Sequence, residues 1–210
     1  KKYGKDPRKE EVFRDYFGIG EGQPVVIPNG EGKNTTPSTV LFDGTSTIVG
    51  EEAKNQSIID PQNFEQFVKR HMGERDYLFS TEDGEKYSPE AISAIILAKM
   101  KADAEQHLGE PIEGAVITVP AYFNEAQRKS TMDAGKIAGL NVLAIINEPN
   151  GSSIGVWNSK GTEKEQTIMV YDLGGGTFDV TVLNSMLKIL QFLELLEIVN
   201  WEDMILMKEL

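Results

Sequence analysis

Three consecutive glycines set between two apolar runs constrain this chain more than any other feature. The run Thr167 to Leu173 enters Gly174-Gly175-Gly176-Thr177, and the run Phe178 to Leu183 leaves it. Each run has the length and composition of a strand, so the glycines join two strands. Without Cβ atoms, they take backbone conformations closed to other residues and can bring their N–H groups close to an anion. Thr177 adds a hydroxyl donor, and Asp172 sits at the loop mouth, where it could order a metal-bound water. On the outgoing strand, alternation puts Phe178, Val180 and Val182 on one face and Thr177, Asp179 and Thr181 on the other, towards a ligand. Two readings stay open: a turn that holds phosphate, and a glycine-rich hairpin that holds nothing. Neither the Walker-type loop nor the dinucleotide fingerprint fits, because no helix and no Lys-Ser/Thr pair follows the glycines.

The segments upstream alternate between strand and helix patterns. Ala115 to Val119 reads as a buried strand ended by Pro120, and Asn124 to Ala138 as a helix with Gly139 at its end. Val142 to Ile146 reads as a second strand, ended by Asn147-Glu148-Pro149. Strands separated by helices imply an α/β layered domain. Ser88 is the expected N-cap of an earlier helix, with Pro89 in its first turn, Ile92, Ile96 and Met100 on one face and Gly109 closing it. Asp43-Gly44 marks a hairpin between Val40 and Gly50, and Asp60-Pro61 opens an expected helix leading to Phe67-Val68-Lys69-Arg70. Gly18, Gly20 and Gly22 precede Pro24-Val25-Val26-Ile27. They read as a turn feeding a short strand, with a phosphate loop as the other reading.

Carboxylates at strand ends in open α/β sheets tend to face the ligand crevice, which singles out Glu148. A carboxylate opposite Asp172 would suit Mg²⁺, which prefers oxygen ligands and keeps several waters. Lys69 could supply positive charge to a transferring phosphoryl group. As single residues, Glu148 also fits a solvated turn and Lys69 a surface pair with Arg70. His71 and His107 lack metal-ligand spacing and read as solvated. With 21 basic against 33 acidic residues and a net charge of −12, the chain has no basic footprint for nucleic acid or an anionic membrane. It has no cysteine, which excludes disulfides and thiolate chemistry. Lys188, Glu194 and Glu197 interrupt its most apolar segment, Met186 to Trp201, and a spanning helix needs about 20 apolar residues. The charged stretch Lys1 to Gly18 lacks the apolar run of a signal peptide.

Together these segments resemble the ATPase domain of the DnaK-type chaperones, the 70-kilodalton heat-shock family, from about Pro24 to Leu183. The likeness is carried by Pro24-Val25-Val26-Ile27-Pro28-Asn29, Asn34-Thr35-Thr36-Pro37-Ser38, Val49-Gly50, Val68-Lys69-Arg70 and Tyr87-Ser88-Pro89-Glu90. It continues through Ile117 to Asn124, Asp133 to Val142, Ile146-Asn147-Glu148-Pro149 and the glycine block Tyr171 to Asp179. The resemblance implies an actin-like (ribonuclease H-like) ATPase fold, mainly its first lobe and the start of the second. It also implies ATP or ADP with Mg²⁺ as ligands, and as partners a J-domain co-chaperone, a nucleotide-exchange factor and unfolded client peptides. It places the protein in the cytoplasm or an organelle. By matching position, Lys69 is similar to the lysine that helps place the attacking water. Glu148 and Asp172 are similar to carboxylates acting on the Mg²⁺ hydration shell, and Asp179 to a carboxylate near the metal water. Gly174, Gly175, Gly176 and Thr177 are similar to phosphate-loop contacts, Thr177 also being catalytic. Pro120 and Arg128 are similar to residues that relay nucleotide state between domains.

Three departures shape the expected activity. Arg14-Asp15-Tyr16-Phe17-Gly18-Ile19-Gly20 stands where the family has a Gly-Ile-Asp-Leu-Gly-Thr-Thr strand and loop, so half the phosphate clamp is expected to be missing. Asn150-Gly151-Ser152-Ser153 replaces Thr-Ala-Ala-Ala and lowers helix propensity there. The chain therefore divides into a lead-in at 1–17, a partial nucleotide-binding domain at 18–184 and a divergent tail at 185–210. The tail's apolar positions do not keep one helical face. We read it as a frameshift product: synonymous codons for Leu187 to Leu210 can be chosen so that another frame spells EDFAISGTAGDSKLGGYDFDEG. That string resembles the family's Ala-Gly-Asp-x-x-Leu-Gly-Gly-x-Asp-Phe-Asp segment, and the gene's nucleotide sequence decides it. Two functional expectations follow: an ATP-binding chaperone segment with impaired hydrolysis, or an inactive fragment serving at most as an interaction module.

Overall fold

The computed structural model describes residues 26–112, 114–148, 166–173, 178–186 and 189–198. Strands β1 (Val40–Asp43) and β2 (Ser46–Val49) pair antiparallel around Gly44, whose φ of 59° is the left-handed value such a tight turn favours. The short helix α1 (Glu51–Gln56) follows β2. The helix expected from Asp60 to Arg70 does not form. Asp60 does cap a 3₁₀ turn at Pro61–Asn63, but the chain then extends as β3 (Phe64–Glu65) and turns again as a second 3₁₀ segment, Val68–His71. Pairing of Phe64 and Glu65 with Leu41 and Val40 overrides the local helical preference, giving the sheet order β2-β1-β3. The strand expected over Pro24–Ile27 is likewise absent at Val26 and Ile27. The Asn29 side chain instead accepts the backbone N–H groups of Glu31 and Lys33 and bends the chain just after them.

Strands β4 (Phe79–Ser80) and β5 (Lys86–Tyr87) form a two-stranded hairpin. Phe42 stacks against Phe79 and Tyr87 from it, with ring centroids 5.5 and 4.2 Å away. Helix α2 (Pro89–Leu108) begins where expected, with the Ser88 hydroxyl accepting the Ala91 N–H, and ends at Gly109, whose φ is 75°. Ile92 and Ile96 are buried in a first core with Val40, Phe42, Val49 and Val68. Met100, expected on the same face, is 52% exposed because that core ends a turn earlier. A second core gathers Met72, Val119, Phe123 and Ala134, with Leu97 of α2 and Ile145 packed against it. Helix α2 thus lies between both cores.

The second core belongs to a strand–helix–strand unit: β6 (Ala115–Val119), α3 (Glu125–Ile137) and β7 (Val142–Asn147), with β6 and β7 parallel. Asn124 opens α3 through a capping box with Gln127. At Gly135 the helix comes so close to the strands that an added Cβ would lie 2.5 Å from Val142 Cγ2 and 2.9 Å from Ile117 Cδ1.

A third group is antiparallel: β8 (Gln166–Leu173), β9 (Phe178–Met186) and β10 (Ile189–Ile198), in the order β10-β9-β8. The tail that failed as an amphipathic helix is therefore a strand over its described part. It pairs with β9 from Ile189↔Met186 to Ile198↔Phe178, with a bulge between Phe192 and Glu194. The architecture is α/β, as expected, but built from small sheets, with parallel pairing confined to β6 and β7 among the described residues. No helix among the described residues is long and apolar enough to cross a membrane.

Candidate functional site

Parallel pairing of β6 with β7 sets Val119 beside Asn147, so the C-terminal ends of both strands lie at one edge. Ligand crevices in open α/β sheets form at such edges. The turn after β6 is held tightly there. Pro120 is fully buried and its carbonyl accepts the Phe123 N–H at 3.1 Å. Arg128, in α3, donates through Nε to the Phe123 carbonyl at 2.8 Å. Its Nη2 donates to the Ala121 carbonyl at 3.2 Å and the Asn147 side-chain oxygen at 2.7 Å. One guanidinium thus binds the turn after β6 to the last residue of β7.

The next residue is Glu148. Its carboxylate receives the Lys69 ammonium at 2.5 Å across 79 residues of sequence. The lysine side chain is 53% exposed and the glutamate 18%, so the pair stands at the surface with the carboxylate turned inward. Lys69, Pro120, Arg128 and Glu148 are therefore brought together at, or beside, one sheet edge.

Asp172 and Asp179 are direct partners across β8 and β9, each separated by one residue from the segment Gly174 to Thr177. The structure fixes them by backbone register. Gly174, Gly175, Gly176 and Thr177 lie outside the described residues. No group of three or more His, Cys, Asp or Glu is gathered for a metal among the described residues. Glu148, Asp172 and Asp179 carry carboxylate oxygens, the ligand type that hard divalent cations take.

One reading of a side chain needs correction. His71 is not simply solvated: its ring lies flat on Tyr77, with centroids 3.6 Å apart and planes 6° apart, and Nδ1 is 2.9 Å from Glu74 Oε2. His107 is exposed, as expected. Glu65 and Tyr77, which the sequence did not single out, join this group. The Tyr77 hydroxyl donates to Glu65 Oε2 at 3.1 Å. Burial, with the nearby Glu65 charge, pushes the Tyr77 phenol up to about 12. No spacing rule points to Glu65, because its value lies in partners on either side of a turn. A cavity of about 290 Å³ opens elsewhere, lined by Phe42, Asn63, Thr81 and Tyr87 among others, and shares no residue with the edge just described.

Among known proteins, the family described as Hsp70 protein has a model that matches residues 17–190. That span holds the edge of β6 and β7, the Lys69 turn and both strands flanking the glycines.

Proposed function

We infer, from the premise that this chain belongs to the Hsp70 protein family, that it holds ATP·Mg²⁺ between the Lys69–Glu148 edge and the glycine turn. The family is one of chaperones that bind ATP or ADP with a divalent metal and work with co-chaperones and client peptides. For this chain we propose the DnaK-type member of that family and its actin-like fold, mainly the first lobe with the start of the second. The observation that carries the reading is the Lys69–Glu148 ion pair, since it joins two residues of the resemblance at a strand end.

In this proposal Lys69 holds the attacking water and offers its charge to the transferring phosphoryl group. Glu148 orients the lysine. The N–H groups of Gly174, Gly175 and Gly176 and the Thr177 hydroxyl receive phosphate oxygens. Asp172, Asp179 and Glu148 hold the water shell of Mg²⁺, which when bound would neutralise the phosphate charge and favour departure of ADP. Pro120 and Arg128 couple the edge to a neighbouring domain, a role supported by the three bonds through which Arg128 joins the turn to β7.

Isothermal titration of the chain with ATP·Mg²⁺ tests this. Micromolar or tighter binding, weakened by Thr177→Ala, is the expected result. Absence of heat at millimolar ATP would leave the second reading, a chain without nucleotide binding that serves as an interaction module. Equal affinity in Thr177→Ala would remove the glycine turn from the account.

A further inference from the structure

The 3₁₀ turn that presents Lys69 is held at both ends by side chains to which no role has yet been given. Glu65 is 9% exposed. Its Oε1 accepts the Phe67 N–H at 2.6 Å, just before the turn, and its Oε2 accepts the Tyr77 hydroxyl at 3.1 Å, beyond it. The Tyr77 ring covers His71, the last residue of the turn, at 3.6 Å between centroids. His71 in turn meets Glu74 at 2.9 Å. Within and beside the turn, Val68 is buried in the first core and Met72 in the second. Gly73, with φ 85°, abuts Gln127 at the start of α3 so closely that an added Cβ would be 3.2 Å from the Gln127 backbone nitrogen.

A buried carboxylate is tolerated only when its oxygens are hydrogen-bonded. Here the bonds that satisfy Glu65 clasp the two ends of one turn. A lysine side chain loses much rotamer freedom when held in one geometry. A half-exposed one reaches a fixed partner efficiently only from a backbone that does not move.

We propose that Glu65, Tyr77 and His71 are positioning residues for Lys69, forming a clasp that keeps its turn rigid and its ammonium on Glu148. The catalytic meaning of the clasp rests on the reading of Lys69 above; the clasp itself does not. None of the three touches the reacting atoms. They act through the turn.

The test is the acetylation rate of each lysine in the full-length chain by an N-hydroxysuccinimide ester, read by peptide mass spectrometry, beside ATP turnover. Tyr77→Phe keeps the ring on His71 and removes the hydroxyl; Glu65→Gln neutralises the centre of the clasp. In both, Lys69 should react roughly fivefold faster, the loosening expected from one lost hydrogen bond. The rate should move towards that of Glu148→Gln. Lys129, 78% exposed on α3, should react at its parental rate. Where the parent turns over ATP, kcat should fall in both variants with KM unchanged. Parental Lys69 reactivity in folded Tyr77→Phe overturns the proposal, and so does an equal increase at every lysine. If Glu65→Gln fails to fold, Tyr77→Phe alone decides. If the parent neither binds nor turns over ATP, the functional reading fails and the acetylation result still settles the clasp.

Discussion

The Arg128 guanidinium lies 2.7 Å from the Asn147 side-chain oxygen while also holding the carbonyls of Ala121 and Phe123. A helix, a turn and a strand end thus meet on one planar cation. The carbonyls it satisfies are partly buried, so its removal strands acceptors as well as losing bonds. Arg128→Ala should lower unfolding free energy by about 2–3 kcal/mol. Arg128→Lys should recover less than half of this, because a single ammonium cannot span three oxygens set for a guanidinium fork. Urea titration of both variants checks it; a parental midpoint in Arg128→Ala would show that the bonds contribute nothing net.

Gly135 offers a second test, in which two effects oppose. Alanine in a helix is favoured over glycine by roughly 1 kcal/mol. Its Cβ, however, would stand 2.5 Å from Val142 Cγ2 and 2.9 Å from Ile117 Cδ1. Overpacking of that kind costs about 1–3 kcal/mol, so Gly135→Ala should destabilise by about 1 kcal/mol net. Adding Val142→Ala removes the nearer methyl. The double mutant should then be more stable than the two single changes predict by summation, and simple additivity in thermal unfolding would contradict the close approach.

What the sequence disclosed and what it withheld divide along the range of the interactions. Ser88 and Gly109, or Asn124 and Gly139, mark helix ends through bonds within a few residues, so both helices were legible. Residues 60–71 misled because Phe64 and Glu65 answer to Leu41 and Val40, partners no local pattern names. The same holds for β10, whose strand state comes from pairing with β9 rather than from its own periodicity. At the site, Lys69 and Glu148 were each singled out, but their meeting across 79 residues was not. Glu65 was invisible because a carboxylate between Phe64 and Gln66 gives no sign that it is buried.

Tyr77 gives a pH prediction. Its phenol ionises near 10 when unfolded and is pushed up to about 12 in the fold by burial and by Glu65. The folded state therefore favours the protonated form. The stabilisation from that preference is fully present below about pH 10 and is lost as pH rises towards 12. The gap in melting temperature between the parent and Tyr77→Phe should be constant from pH 7 to 9 and narrow steadily above 10. A constant gap up to pH 12 would mean that the hydroxyl does not bond Glu65 as a donor.

The tail gives the last prediction, because part of the proposed alternative frame is independent of codon choice. That frame joins the third base of each codon to the first two bases of the next. Across Asn200 and Trp201 it must read leucine, since a pyrimidine followed by TG encodes nothing else. Across Trp201 and Glu202 it must read GGA, glycine, and across Met204 and Ile205 it must read GAT, aspartate. These three forced residues fall at the leucine, first glycine and first aspartate of Leu-Gly-Gly-x-Asp-Phe-Asp, with the family's spacing. Free codon choice fills the motif's other positions: the second glycine, the variable residue, the phenylalanine and the second aspartate. The gene should therefore read glycine across Glu202 and Asp203 and phenylalanine across Ile205 and Leu206. Nucleotide sequencing of the locus gives the answer directly, and arginine at the first junction together with a residue other than phenylalanine at the second would end the frameshift proposal.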